Sequence, residues 1–522
     1  MKKTKLNFFF LFIILCLFIK TDYRLEPGIY CCKDDHDYYA HAETIAIDFD
    51  FDYSNQLEGY EEERFFYNGK SAPSTFFGTG LLSAPFLFIG NLFDQIIPNN
   101  TLFNFKIIFY SFSSIFYFAF SLVLVNKINV FLGSKYNSVL LFIFTCGSGV
   151  VYYAFERYSM SHIYEVFSIL LLIYFCLKYY FDKGSNQIAF LIPFFVMLAI
   201  MTRWVNIYIF IVPYIVSKLI NNNQYNLRSN KYFWYGSSLS FILFLYHTYL
   251  IFGVVTLNAE FTYNTSGTIE NYLGSEDSLF NFIVNNTKNL FLLLFGPEFG
   301  LIWFSPIIFS GFYFSIKNII LNSKNRSLFI IILACFLQIF GLVLIWKSAG
   351  SSYGYRYVMN LTPLALLIFV SQKNVKSFEI NYLKFMSIFS LFSVLYFETT
   401  KYTQLSTEYI INMFGKNTKF TTPDYLIGYL RTIIEFEAYL KIFAQSFLGF
   451  MIFYFLIYFL EADTFYLLMD RFSLPYNNPD FINLVNKIEK IELYKVLVAM
   501  LLIFFTTMLI LNNASFKKKQ IY

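Results

Sequence analysis

Charge is what this chain has least of. Only 14% of its 522 positions are Asp, Glu, Lys or Arg, against 57% hydrophobic and 22% aromatic residues. That is too little polar surface to cover a soluble globule of this size, so a water-soluble enzyme or binding module is excluded. The formal charge of +5 is small, and the Lys and Arg residues are scattered through short segments between apolar runs. This pattern describes membrane topology and excludes a nucleic-acid partner. Of six cysteines, Cys16, Cys146, Cys176 and Cys335 fall inside apolar runs, while Cys31 and Cys32 are adjacent. Neither a disulfide framework nor a zinc-binding spacing can be built from that set. Coiled-coil heptads, low-complexity linkers, internal repeats and a sizeable soluble domain are all lacking.

What is present in quantity is the apolar run. The runs recur at about 6–19, 103–125, 137–154, 162–181, 188–201, 205–220, 232–254, 300–316, 328–346, 358–372, 385–397, 441–460 and 493–512. Many are long enough to cross a hydrocarbon core of roughly 30 Å. The expected fold is an all-α integral membrane protein with about 12–13 transmembrane helices. Lys127, Lys135, Lys178, Lys218, Arg228, Lys317, Arg326 and Lys376 fall in alternate loops if the N-terminus is cytoplasmic, which sets the orientation. Lys2, Lys3 and Lys5 precede the first run without a small-x-small cleavage site after it, so an uncleaved first helix is expected. A long first extracytoplasmic loop, about 20–102, then carries short interfacial helices at Tyr38–Ile47 and at Phe76–Phe93. The second of these is interrupted by Gly78, Gly80, Pro85 and Gly90. Residues 1–372 read as the catalytic membrane module and 373–522 as C-terminal transmembrane helices, with 401–441 the least regular stretch.

Chemistry should collect in the outer loops. Asp34, Asp35 and Asp37 in Lys33-Asp34-Asp35-His36-Asp37-Tyr38-Tyr39 crowd three carboxylates at a bilayer surface. Such groups must be solvated, paired or hold a cation, and one of them could accept a proton from an attacking hydroxyl. A solvated acidic loop is the plain alternative. Asp48-Phe49-Asp50-Phe51-Asp52 would place its acids on one face of a strand. Arg203, between two apolar runs, suits an anionic phosphate head group, or simply snorkels. His162 enters another helix from the outer side, where an interfacial role competes with a functional one. The segment Trp346 to Tyr357 gathers Lys347, Arg356, Tyr353 and two glycines; cations suit phosphate, tyrosine faces suit sugar rings, and both are also ordinary interfacial anchors.

In order along the chain, these pieces resemble the polytopic membrane glycosyltransferases that use polyprenyl-phosphate sugars, the GT-C superfamily, in its protein mannosyltransferase and lipopolysaccharide-core transferase groups. Asp35-His36-Asp37-Tyr38-Tyr39 is similar to the acid-x-x-Tyr-Tyr after the first helix of such proteins. Asp48 to Asn55 resembles their Asp-Gly-Asp-Leu-Asp-Phe-x-Asn stretch, with Phe49 in place of the usual Gly. Phe77 to Phe86 resembles Pro-Gly-x-x-Leu-Leu-x-x-Pro-Phe, and Met160-Ser161-His162, Arg203-Trp204-x-Asn206, Gly300-Leu301-x-Trp303-x-Ser305-Pro306 and Trp346 to Arg356 complete the series. The resemblance covers about residues 1–370 and implies an inverting transferase on the outer face of a bacterial inner membrane. It implies Asp35 as general base, with Asp37 second. It implies Arg203, Lys347 and Arg356 as holders of the lipid-linked phosphate, with Tyr353 and His162 also in the substrate site. The implied partners are a polyprenyl-phosphate-linked sugar donor, the lipid bilayer, and a glycan, lipid or protein acceptor. Some members use a divalent metal and others none; both alternatives stay open here and no metal ligand is assigned. A transporter or flippase of lipid-linked saccharides is the main rival, yet charged candidates in outer loops and unrepeated halves fit it poorly. A polysaccharide polymerase or ligase would keep its main site in a late outer loop.

Orientation is testable directly. Cysteines placed at Ser71 and Ser351 should react with a membrane-impermeant thiol reagent added to intact cells, whereas one at Ser323 should not. Labelling at Ser323 would invert the topology and put the acidic segment in the cytoplasm.

Overall fold

The acidic cluster opens a helix. In α2, Lys33–Glu43, Asp34 and Asp35 occupy the first turn and His41 the last. Acids near a helix N-terminus and a basic group near its C-terminus both complement the backbone dipole, and Ala40 and Ala42 cost little in a helix interior. The computed structural model describes residues 10–17, 33–58, 65–67, 70–73, 75, 77–97, 104–220, 225–257, 279–296, 300–321, 325–346, 356–372, 374–397, 446–460, 464, 467 and 493–513. Residues 10–17 form α1. After α2 the chain widens into a π-helical turn, Thr44–Asp48, which closes at Phe49 in the left-handed region with φ 58°. A left-handed backbone costs a residue with a Cβ such as Phe49 roughly 1–2 kcal/mol. The Asp48–Asp52 stretch is a turn and not the expected strand. Asp48 accepts from Asn55 and Gln56, Asp50 accepts from Thr44 Oγ1 at 3.2 Å and from the Asp52 amide at 3.1 Å, and Asp52 accepts from the Ser54 amide at 3.1 Å. A two-stranded antiparallel hairpin follows, β1 Phe65–Tyr67 and β2 Lys70–Ala72.

The glycine-rich stretch at 78–90 is one helix, α3, Gly78–Ile96. Its glycines permit close packing where they were read as interruptions. A Cβ on Gly80 would lie 2.4 Å from His41 Cβ and 2.8 Å from the His41 backbone carbon; on Gly78, 2.6 Å from the Met201 carbonyl carbon; on Gly90, 2.6 Å from Phe105 O. These three positions let α3 press against α2, the end of α8 (Asn186–Thr202) and the start of α4 (Phe105–Phe131). Asp94 near the end of α3 accepts from the first amides of α4, Phe105 N at 2.8 Å and Lys106 N at 2.9 Å, groups that have no partner within their own helix. Lys106 in turn pairs with Glu43 at 3.4 Å, tying α4 to the end of α2.

Among the described residues, five helical segments are long and apolar enough to cross a membrane: Phe105–Phe131, Ser138–Phe155, His162–Phe181 (α7), Lys231–Phe252 (α10) and Arg326–Leu344. The second is composite, α5 (Ser138–Thr145) and α6 (Val151–Phe155) joined by a π-helical turn with Gly149 at φ 85°. Shorter apolar helices fill most of the remaining expected spans, among them α8, Val205–Ile220, Pro306–Ile320 and Arg356–Ser371. The protein is an all-α integral membrane protein, and each segment read as a span from sequence is mainly helical over its described residues. A further helix, α11, Leu279–Phe295, lies between the expected spans 232–254 and 300–316. The 401–441 stretch lies outside the described residues.

The close approach at Gly80 makes a sharp prediction. Gly80→Ala should destabilise the detergent-purified protein by about 1–3 kcal/mol through overpacking against α2. Gly341→Ala, whose new Cβ meets nothing within 4 Å, should be neutral or slightly stabilising. Equal melting temperatures for the two variants would contradict the packing described.

Candidate functional site

Four stretches of chain bring ionisable side chains to one end of the helix bundle. α2 supplies Asp34, Asp35 and Asp37. The turn between α6 and α7 supplies Arg157, and the first turn of α7 supplies His162 and Glu165. Arg203 sits at the break between α8 and a 3₁₀ segment, Trp204–Ile211, in extended conformation with φ −162°. Arg356 and Tyr357 begin a second 3₁₀ segment, Arg356–Leu361, which runs into α15, Thr362–Ser371.

Three carboxylate–guanidinium pairs result. Arg157 Nη2 donates to Asp35 Oδ2 at 3.1 Å; Arg203 Nη1 lies 3.8 Å from Glu165 Oε2; Arg356 Nη2 lies 3.6 Å from Asp34 Oδ2. Asp35 is 1% exposed, Asp37 and Glu165 are fully buried, and Asp34 keeps 42% of its side chain open. Pairing is what allows Asp35 and Glu165 to sit this deep, since removing one partner of a buried pair costs about 3–5 kcal/mol. The Tyr357 ring collects two of the cations, with the Arg203 guanidinium 4.9 Å and the Arg356 guanidinium 4.8 Å from its centroid. Arg356 Nη2 also donates to the Tyr357 hydroxyl at 2.8 Å. His162 Nδ1 accepts from Arg203 Nη1 at 3.4 Å, packs against the Tyr153 ring at 4.4 Å, and lies in the field of all three arginines. Tyr38 lines the same place. Burial pushes its phenol well above the usual range, while Arg203 pulls it back and Asp34 adds to the rise.

Asp35, Asp37, His162, Arg203 and Arg356, singled out in the sequence, are all described; His162, Arg203, Arg356 and Asp35 fall in or beside this network, and Asp37 is buried on the same helix two residues from Asp35. Lys347 and Tyr353 lie outside the described residues. Arg157 and Glu165 were missed, and Tyr357 closed the Trp346–Tyr357 segment without a role of its own. Glu165 is legible in hindsight as an acid inside an apolar run, three residues after His162 and so on the same helical face. Arg157 has no such signal, because a cation in a short turn looks like an anchor. Among the described residues, no three His, Cys, Asp or Glu side chains are grouped closely enough to hold a metal ion.

Behind the network, His41 ties α2 to the later part of the first loop. Its Nε2–H donates to Thr75 O at 2.9 Å, which leaves Nδ1 to accept from the Tyr53 hydroxyl at 2.7 Å. Lys70 Nζ donates to Leu250 O at 2.9 Å and fixes the hairpin to α10.

No protein-family model and no curated protein matches the sequence. Over 88% of its length the chain is similar to two solved structures of the oligosaccharyltransferase of Archaeoglobus fulgidus, each at 12% identity. The apo form gives a TM-score of 0.41, and the complex of that protein, AglB, with an inhibitory peptide and a dolichol-phosphate gives 0.40. The similarity covers 58% of the archaeal chain, so this chain spans a little over half of its length.

Burial lowers the His41 imidazole to about 4, with the Thr75 carbonyl opposing and the field of His247 adding to the fall. An unfolded His titrates near 6.5, so between about 6.5 and 4 the unfolded chain binds a proton that the folded one refuses. The contribution of His41 is therefore complete above about pH 6.5 and declines as pH falls towards 4, with a slope of up to about 1.4 kcal/mol per pH unit. Melting curves of the wild type and of His41→Gln across this range should diverge, the variant being flatter. Parallel pH profiles would show that His41 does not titrate as described.

Proposed function

We propose that this protein is a membrane glycosyltransferase that moves a sugar from a polyprenyl-phosphate donor to an acceptor hydroxyl with inversion at the anomeric carbon. The observation that carries the reading is the meeting of Arg203 and Arg356 on the Tyr357 ring, beside the α2 helix that bears Asp34 and Asp35. Guanidinium groups bind phosphate oxygens through paired N–H donors, and a carboxylate near them in space suits proton abstraction from a hydroxyl.

In the reaction, the Asp35 carboxylate takes the acceptor hydroxyl proton as the oxygen bonds to the anomeric carbon. The bond from that carbon to the phosphate oxygen breaks, and the electron pair leaves with the polyprenyl phosphate. Arg203 and Arg356 stabilise the departing charge, which grows as the bond lengthens, so they favour the transition state over the bound donor. Arg157 orients Asp35 through Oδ2. Because Asp35 is buried and the Arg157 side chain is 14% exposed, an acceptor approaching from water meets Arg157 first and must displace it or a neighbour to reach the carboxylate. Asp37 is the second choice of base, and Lys347 and Tyr353 belong to the same proposed donor site from the segment that precedes Arg356. Cell-envelope glycans, lipids and proteins are the acceptor classes compatible with a site at the outer face of a bacterial inner membrane.

The ionised groups gather at helix ends, in the first turns of α2 and α7 and just past the end of α8, and this favours transfer over transport. A transporter of lipid-linked saccharides would place its ionisable groups near mid-membrane.

Deletion of the gene should remove one sugar from a cell-envelope glycan detected by mass spectrometry, and the wild-type gene should restore it. Asp35→Asn should reduce transfer by about 10²–10⁴-fold at unchanged membrane insertion. Arg356→Ala, and to a smaller extent Arg203→Ala, should weaken donor binding, with Lys in either place intermediate, since Lys keeps the charge and loses the fork. Full restoration of the glycan by an Asp35→Asn, Asp37→Asn double variant would overturn the reading.

A further inference from the structure

The two phosphate-binding arginines proposed above lie on separate 3₁₀ segments, more than 150 residues apart in sequence, and something must hold those segments in register. Each carries a fully buried asparagine shortly after its arginine, Asn206 after Arg203 and Asn360 after Arg356. Asn360 Nδ2 donates to Asn206 Oδ1 at 2.8 Å. Asn206 Nδ2 donates to Ala199 O at 3.0 Å, which fixes the orientation of that amide because a carbonyl can only accept. The Asn206 backbone N–H donates to Arg203 O at 3.2 Å and closes the turn on which the arginine sits. From the other side, the Tyr208 hydroxyl donates to the Asn360 backbone carbonyl at 2.7 Å. The Asn206 amide also lies beside Glu165, the carboxylate paired with Arg203.

We infer that Asn206 and Asn360 are positioning residues: their amide-to-amide hydrogen bond couples the Arg203 and Arg356 turns, so that both guanidiniums meet at Tyr357 and act on one phosphate group. The physical argument is one of rigidity. A 3₁₀ turn has poorer hydrogen-bond geometry than an α-helix and is held in short pieces by what surrounds it. Here the surroundings are apolar helices, whose packing resists compression and carries little directional information. A buried amide pair is directional, and leaving either member unsatisfied carries a full desolvation penalty. Two turns joined in this way move together. Neither asparagine touches the phosphate in this account, and the inference rests on the arginine reading of the preceding subsection.

The test uses the full-length protein in detergent and farnesyl phosphate as the probe, a short prenyl chain carrying the phosphate and no sugar. Asn206→Ala and Asn360→Ala should each weaken its binding about 5- to 30-fold, which is the loss expected from one buried hydrogen bond with an unsatisfied partner. The double variant should be no weaker than the worse single variant, because the two side chains act as one link. Asn360→Asp separates positioning from a general loss of structure. A buried carboxyl group has a raised pKa, and only its protonated form can donate to Asn206 Oδ1. Binding by Asn360→Asp, taken relative to the wild type at the same pH, should recover at pH 5 and fall to the Asn360→Ala level at pH 8. Unchanged binding by the asparagine variants, together with weakened binding by Arg203→Ala and Arg356→Ala, overturns the positioning role alone. Unchanged binding by the arginine variants overturns the phosphate reading itself. Additive losses in the double variant, or a pH-independent Asn360→Asp, would assign the asparagines to general packing.

Discussion

The organisation of this protein turns on the cost of keeping ionised groups out of water. A carboxylate or guanidinium moved from water into a low-dielectric interior loses several kcal/mol of solvation even after relaxation, and only a nearby opposite charge recovers it. At one end of the bundle that demand is met three times, by Arg157 with Asp35, Arg203 with Glu165 and Arg356 with Asp34. Two of the pairs join elements far apart in the chain, and the third joins consecutive helices. α2 is held to the α6–α7 turn and to the segment before α15, and α7 is held to the end of α8. The site and the tertiary structure around it are therefore the same set of contacts.

Backbone proximity makes the pairing geometrically feasible. α3 acts as a spacer without thickness: at Gly78, Gly80 and Gly90 it touches three other elements so closely that a single added carbon would collide with backbone. One of these contacts, at Met201 and Thr202, is immediately before Arg203, and another, at His41 and Ala42, is on the helix that carries Asp35. Small residues let apolar helices approach where no hydrophobic driving force distinguishes helix from lipid, and packing then has to supply the stability. At the opposite end, Lys317 pairs with Glu379 and Asn318 donates to Gln372 at 3.1 Å, so polar links close the bundle there as well.

The arginine pair on Tyr357 illustrates how a polar site survives in such an environment. Stacking on the ring face uses no in-plane donor: Arg356 gives Nη2 to the Tyr357 hydroxyl and Arg203 gives Nη1 to His162, while the Arg203 carboxylate partner is at 3.8 Å, outside hydrogen-bonding range. The cations are neutralised over the cluster as a whole, yet retain donors for an anion. The asparagine link beneath them is fully buried and directional, which is the quality that apolar packing lacks.

Much of this was legible in the residues. Low charge and recurrent apolar runs determine an all-α membrane protein, because no other secondary structure satisfies its own backbone in lipid within a single segment. The acid-aromatic run at 34–39, and the arginines at 203 and 356, stand out because ionised groups are rare in this chain and carry a solvation cost wherever they are placed. What the sequence could not decide was partnership. Asp34 to Asp37 read equally well as a solvated loop until the helix buried Asp35 and Asp37. The glycines of α3 read as breaks because the same residue weakens an isolated helix and permits close packing in a bundle. Glu165 and Arg157 acquired meaning only when Arg203 and Asp35 came within reach of them. Solvation cost is a property of each side chain and is therefore written in the sequence. Its compensation depends on distances of a few ångströms between residues 38 to 322 positions apart, and only the tertiary structure sets those.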